Sequence, residues 1–69
     1  MEFVFLLLHG SEWEDITILL SREDAIHASK KYPEARVEIF GKSDTMGYTP
    51  TYNYYKNGTL SVKHNNFQT

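Results

Sequence analysis

The sequence predicts a small α+β fold, in which one helix packs on one face of a mixed or antiparallel sheet. Three observations support this prediction. The segment Phe3–Leu8 is apolar at every position, as in a strand that is covered on both faces. One amphipathic helix is predicted at residues 22–32, and the remaining segments alternate in polarity or carry β-branched and aromatic residues. The predicted order is two strands, the helix and three strands.

The first two strands are expected to pair antiparallel. The first covers residues 2–9, and the second covers residues 16–20, with a polar connection at residues 10–15. In the second strand Ile16, Ile18 and Leu20 share a face. We expect Ile18 to be buried.

The helix has clear start and stop signals. Ser21 is a good N-cap, and Asp24 stands three residues later, where a capping box carries its acidic residue. Pro33 ends the helix. The inner face consists of Ala25, Ile26, Ala28, Ser29 and Tyr32.

The third strand is predicted at residues 35–40, ending at Gly41, because Val37 and Ile39 alternate with charged residues. A right-handed crossover through the helix makes strands two and three parallel to each other. Strand one then lies between them, in the order two, one, three. This central position explains why strand one is apolar on both faces.

Strands four and five are predicted as a hairpin of residues 48–55 and 59–64, closed by Asn57-Gly58. Pro50 should make the fourth strand start late or lie at an edge. We therefore expect one domain over residues 1–64 and a frayed tail at residues 65–69.

The hairpin register separates an aromatic and basic side from an apolar side. A bulge at Gly58 would shift the register by one residue and exchange the two sides. The aromatic and basic side comprises Tyr52, Tyr54, Lys56 and Lys63, and the apolar side comprises Tyr55, Leu60 and Val62.

The aromatic and basic side is the first candidate binding surface, for a protein or for single-stranded nucleic acid. The alternative is that its tyrosines only reflect strand propensity on a solvated sheet. Trp13, in the acidic connection, either folds over the core or serves as a binding anchor.

Composition narrows the classes of function. The 69 residues carry a formal charge of -2 and include no cysteine, which excludes disulfides, thiolate metal sites and a cysteine nucleophile. Neither a signal peptide nor a transmembrane segment is recognisable, so we expect an intracellular, reducing compartment. We expect no membrane partner and no cofactor.

Catalytic chemistry finds little support. His9, Glu12 and Glu14 could gather around one loop as weak candidate metal ligands, but acidic loops are usually only solvated. The serines have no adjacent base in the sequence. We therefore expect a protein that is not an enzyme.

Five segments, at residues 23–26, 30–33, 36–40, 48–52 and 54–58, resemble the short uncharacterised proteins encoded by large DNA viruses. This resemblance is one of style and composition. It implies a viral accessory or virion-associated protein that acts through contacts.

The second face of strand one must be covered by the C-terminal hairpin, by a second copy or by a partner. We therefore expect a homodimer or a protein complex, with single-stranded nucleic-acid binding as the alternative. The expected interface includes at least one of Val4, Leu6, Leu8, Thr17 and Leu19, or else Phe3, Phe5 and Leu7 on the opposite face.

Overall fold

The computed structural model describes residues 2–10 and 12–62, with only the backbone of Trp13. The predicted α+β fold is confirmed. One antiparallel sheet has the strand order β2-β1-β3-β4-β5, and one helix, α1, packs on it. The elements are β1 (Phe3–Leu8), β2 (Ile16–Leu19), α1 (Arg22–Lys31), β3 (Val37–Lys42), β4 (Tyr48–Lys56) and β5 (Thr59–Ser61).

β1 lies between β2 and β3 and pairs antiparallel with both, as the sequence predicts. Its position follows from its composition, because a central strand in contact with a helix buries more apolar surface than an edge strand does. β2 is an edge strand of four residues, one residue shorter than predicted. A single 3-10 turn, Trp13–Asp15, leads into it.

β3 begins and ends two residues later than predicted. The backbone N–H of Ala35 donates to the Tyr32 carbonyl at 2.9 Å, so Ala35 closes the turn after the helix instead of starting the strand. Gly41 is inside the strand, paired with Phe3 and Thr49. A Cβ atom on Gly41 would lie 3.3 Å from the Phe3 ring, so glycine makes room for that ring.

The helix begins as its capping signals predict and ends one residue early. The Ser21 hydroxyl accepts a hydrogen bond from the Asp24 backbone N–H at 3.1 Å, and Tyr32 is the C-cap. Ala25 and Ser29 are fully buried against the sheet. Small residues on this face let the helix lie close to the strands.

The C-terminal hairpin has the predicted turn and register. Asn57 and Gly58 have φ values of 50° and 80°, as in a type I′ turn, and Tyr55 pairs with Leu60. The alternative with a bulge at Gly58 is therefore wrong. β5 ends at Ser61, earlier than predicted. It pairs only with Tyr54, Tyr55 and Lys56, so Pro50 lies on a part of β4 that does not pair with β5.

A bulge lies instead on β4, opposite Ile39. The register shifts between Glu38 and Phe40, and Tyr52 has a φ of 68°. The Thr51 hydroxyl donates to the Ile39 carbonyl at 2.8 Å and accepts from the Asn53 N–H at 3.1 Å. A side chain thus replaces the interrupted ladder of backbone hydrogen bonds.

The core lies between α1 and one face of the sheet. It consists of Phe5, Leu7, Ala25, Val37, Ile39 and Tyr55. The expectation that Ile18 is buried is wrong: its side chain is 61% exposed, and its neighbour Leu19 turns toward the helix instead. Within the described ranges, no helix has both the length and the apolar character needed to cross a bilayer.

Candidate interaction surface

The face of the sheet opposite α1 is the candidate functional site, and we call it the outer face. Phe5 and Leu7 point toward the helix, so the alternate residues of β1 point away from it. Residues paired across strands share a face, which extends this assignment to the other strands. The outer face consists of Val4, Leu6, Leu8, Ile16, Ile18, Glu38, Phe40, Lys42, Tyr48, Pro50, Tyr54, Lys56, Thr59 and Ser61.

The outer face is apolar and open over β1 and β2. Leu8 is 46% exposed and Ile18 is 61% exposed, while Leu6 between them is half-buried by its neighbours. These residues are adjacent, because Leu6 pairs with Ile18 and Leu8 pairs with Ile16. A contiguous exposed aliphatic patch of this kind is typical of an interaction site.

The described part of the C-terminal hairpin does not cover this patch. β4 and β5 continue the sheet beyond β3 as further strands instead of folding across it. The residues that the structure describes therefore leave this patch uncovered.

Glu38 is the charged group that lies between Leu6 and Tyr54 on the outer face, and it is paired locally. Arg36 Nε lies 3.2 Å from a Glu38 carboxylate oxygen. The same guanidinium lies over the Tyr54 ring, 4.6 Å from its centroid. Around Glu38, the β3 and β4 side of the outer face therefore presents aromatic surface beside an ion pair.

The predicted aromatic and basic side of the hairpin is divided in the structure. Tyr54 is half-buried beneath Arg36, whereas Tyr52, in the bulge, is 60% exposed. The Lys56 ammonium donates to the Pro33 carbonyl at 3.0 Å. Lys63, the predicted tail at residues 65–69 and the side chain of Trp13 lie outside the described residues.

The predicted apolar side of the hairpin joins the core at one residue. Tyr55 is 6% exposed, and its ring centroid lies 6.4 Å from that of Phe5. Leu60 and Val62 are 48% and 60% exposed. The helix reaches Tyr55 but does not extend far enough to cover the edge of β5.

His9 faces away from the acidic connection. Its Nε2 atom lies 2.7 Å from the Thr17 hydroxyl, and its ring packs edge-on against Tyr32. Glu12 instead contributes its backbone N–H, 3.4 Å from an Asp15 carboxylate oxygen, and Glu14 is exposed. Over residues 2–10 and 12–62, the structure brings together no three acidic or histidine side chains that could hold a metal ion.

A second polar cluster joins Glu2, just before β1, to the end of β3 and the start of β4. The Tyr48 hydroxyl donates to the Glu2 carboxylate at 3.0 Å, and the Lys42 ammonium lies 3.5 Å from it. The hydrogen bond from Tyr48, followed by the charge of Lys42, lowers the pKa of Glu2. The same hydrogen bond raises the pKa of Tyr48.

The expected positions of two β2 residues are wrong. Thr17 and Leu19 pair with Leu7 and Phe5, so they lie on the helix side and not beside Leu6. Ile16 and Ile18 were missed as surface residues. The pairing of β1 with β2 identifies both isoleucines as residues of the outer face, because Ile18 lies opposite Leu6 and Ile16 lies opposite Leu8.

Comparison with protein-family models, curated protein sequences and solved structures finds no match to this chain.

Proposed function

We propose that this chain is a non-catalytic interaction module that self-associates through its outer face. The observation that carries the proposal is the exposed aliphatic patch formed by Leu8, Ile16 and Ile18 on the face opposite the buried Phe5 and Leu7. Burying such surface is the main favourable term in protein association. A viral accessory role, implied by resemblance alone, is compatible with this function.

A second copy fits the chemistry of the surface. The face carries aliphatic side chains over β1 and β2, and aromatic ones, Phe40 and Tyr54, over β3 and β4. In a two-fold contact, the aliphatic half of each copy would lie on the aromatic half of the other. Arg36 pairs with Glu38 and Lys42 pairs with Glu2, so the charges that β3 carries on this face already have partners within the chain.

Sedimentation velocity across a concentration series tests this proposal. We expect the wild-type protein to change from monomer to dimer between about 10 µM and about 1 mM, a range typical of a modest interface. Ile18→Lys should raise the dissociation constant at least tenfold, because it places a charge in the centre of the apolar contact.

Leu60→Lys is the matched control. Leu60 is also a partly exposed aliphatic residue on an edge strand, but it lies on the helix side of the sheet. Its substitution should leave the dissociation constant unchanged. A wild-type protein that stays monomeric at the highest concentration, or equal effects of the two substitutions, would contradict self-association.

The same protein samples separate two other occupants of the surface. A different protein partner would give a wild-type monomer and a complex that Ile18→Lys weakens. The nucleic-acid alternative predicts binding of a single-stranded oligonucleotide that weakens steeply with added salt and with Tyr52→Ala. The exposed ring of Tyr52 supports that alternative, whereas the engagement of Lys56 with Pro33 weighs against it.

A further inference from the structure

A small cleft opens on the helix side of the sheet, between the start of α1 and the C-terminal hairpin. Its volume is about 200 Å³. Phe5, Ile39 and Tyr55 form its buried floor, and the more exposed Phe3 and Leu60 form its rim. An apolar cavity of about 150 Å³ is large enough to bind benzene, so this cleft can take one aromatic ring or one branched aliphatic group.

The cleft exists because the helix is short and is tied to the other end of the sheet. Ser29 accepts a hydrogen bond from the Gly58 backbone N–H at 2.8 Å, which holds the second half of α1 beside the hairpin turn. Ala25, the other fully buried helix residue, is too small to extend sideways over Phe5. The Phe3 end of the sheet is therefore left open beside the first turn of the helix.

Arg22 gives this apolar cleft a charged border. It is the exposed first residue of α1, and it lines the cleft together with Asn53. The ion pairs found within residues 2–10 and 12–62 are Arg36 with Glu38 and Lys42 with Glu2, so neither involves Arg22. Asp24 lines a different groove, next to His27 and Lys31.

We propose that this cleft binds a small carboxylate attached to an aromatic or branched apolar group. The apolar group enters between Phe3 and Leu60 and contacts the buried floor, and the carboxylate pairs with the Arg22 guanidinium. A free aryl carboxylic acid and the C-terminal residue of a peptide present the same chemistry. The site lies on the face opposite the outer face, so it does not depend on self-association.

A chemical-shift titration of the uniformly ¹⁵N-labelled full chain tests the proposal, with 4-phenylbutyrate as the probe. Saturable shifts should be centred on the backbone amides of Phe5, Ile39 and Tyr55. The neutral analogue 4-phenylbutanamide should bind at least tenfold more weakly, because it loses the charge-assisted hydrogen bonds to Arg22.

Arg22→Gln should remove the preference for the carboxylate, and Arg22→Lys should retain part of it. The matched control is Lys31→Gln, which removes the same charge from the other end of the helix and should leave the preference unchanged. The dispersion of the amide spectrum reports whether each variant is folded.

Two further probes separate the possible sources of the ligand. If the natural ligand is the C-terminus of a peptide, N-acetyl-glycyl-phenylalanine with a free C-terminus should bind at least as tightly as 4-phenylbutyrate. If the natural ligand is a free aryl acid, this peptide should bind more weakly than 4-phenylbutyrate. Either result supports the site. Shifts confined to Val4, Leu6 and Leu8, no saturation at about 10 mM probe, or equal effects of Arg22→Gln and Lys31→Gln would overturn it.

Discussion

Truncation to alanine should destabilise the fold strongly at Ile39 and hardly at all at Ile18. Ile39 is 8% exposed in the core, and Ile18 is 61% exposed on the outer face. Ile39→Ala should cost about 2–5 kcal/mol of unfolding free energy, because it removes buried methyl groups and leaves a cavity. Ile18→Ala should change the stability of the monomer by about 0.5 kcal/mol or less.

The consequence for Ile39→Ala is large because the domain is small. At roughly 0.05–0.15 kcal/mol per residue, a chain of 69 residues has a stability of about 3–10 kcal/mol. The substitution therefore removes a large part of the stability, and it leaves much of the protein unfolded at room temperature if the wild-type stability is close to the cost of the substitution.

Urea unfolding followed by far-ultraviolet circular dichroism measures both effects. The protein concentration should be about 5 µM, where association adds little to the apparent stability. Repeating the experiment at about 500 µM should raise the wild-type midpoint but not the midpoint of Ile18→Ala. If Ile18→Ala lowers the dilute midpoint as much as Ile39→Ala does, Ile18 belongs to the core and the assignment of the outer face is wrong.

Three further substitutions test local contacts. Ser29→Ala should cost about 1–2 kcal/mol and speed amide exchange at Gly58, whose N–H loses its acceptor; unchanged exchange would contradict this contact. Gly58→Ala should cost about 1–2 kcal/mol in urea unfolding, because its φ of 80° is unfavourable for a residue with a Cβ atom; a neutral result would contradict the type I′ turn. Tyr48→Phe should raise the pKa of Glu2 toward its ordinary value of 4.5 in a side-chain titration by nuclear magnetic resonance. Because the pKa of Glu2 is lowered in the folded state, the contact stabilises the fold above pH 4.5, and this stabilisation is lost as the pH falls through the lowered pKa. If the stability of Tyr48→Phe and of the wild type falls equally in acid, the contact is contradicted.

The sequence by itself determined the elements and their order. The uninterrupted apolar run of β1 identified the central strand, Ser21 and Pro33 bounded the helix, and Asn57-Gly58 fixed the hairpin register. Each of these signals is local or depends on composition, so it can be recognised without knowing where the rest of the chain lies.

The tertiary structure alone decided which face of β2 is buried. Alternation marks two faces of a strand but does not say which one meets the helix, and the more apolar face, with Ile16 and Ile18, was expected inside. The core face is set by the pairing of Leu7 with Val37 and of Phe5 with Ile39, and by the helix packed on that side. The register between β1 and β2 then places Leu19 inward and Ile18 outward.

The same reason applies to both candidate sites. The outer face and the cleft beside Arg22 are formed by residues that are far apart in the sequence and meet only when five strands align and one short helix crosses them. A chain with one ten-residue helix can bury only part of a five-stranded sheet. The position of that helix therefore decides which apolar residues form the core and which remain available for binding.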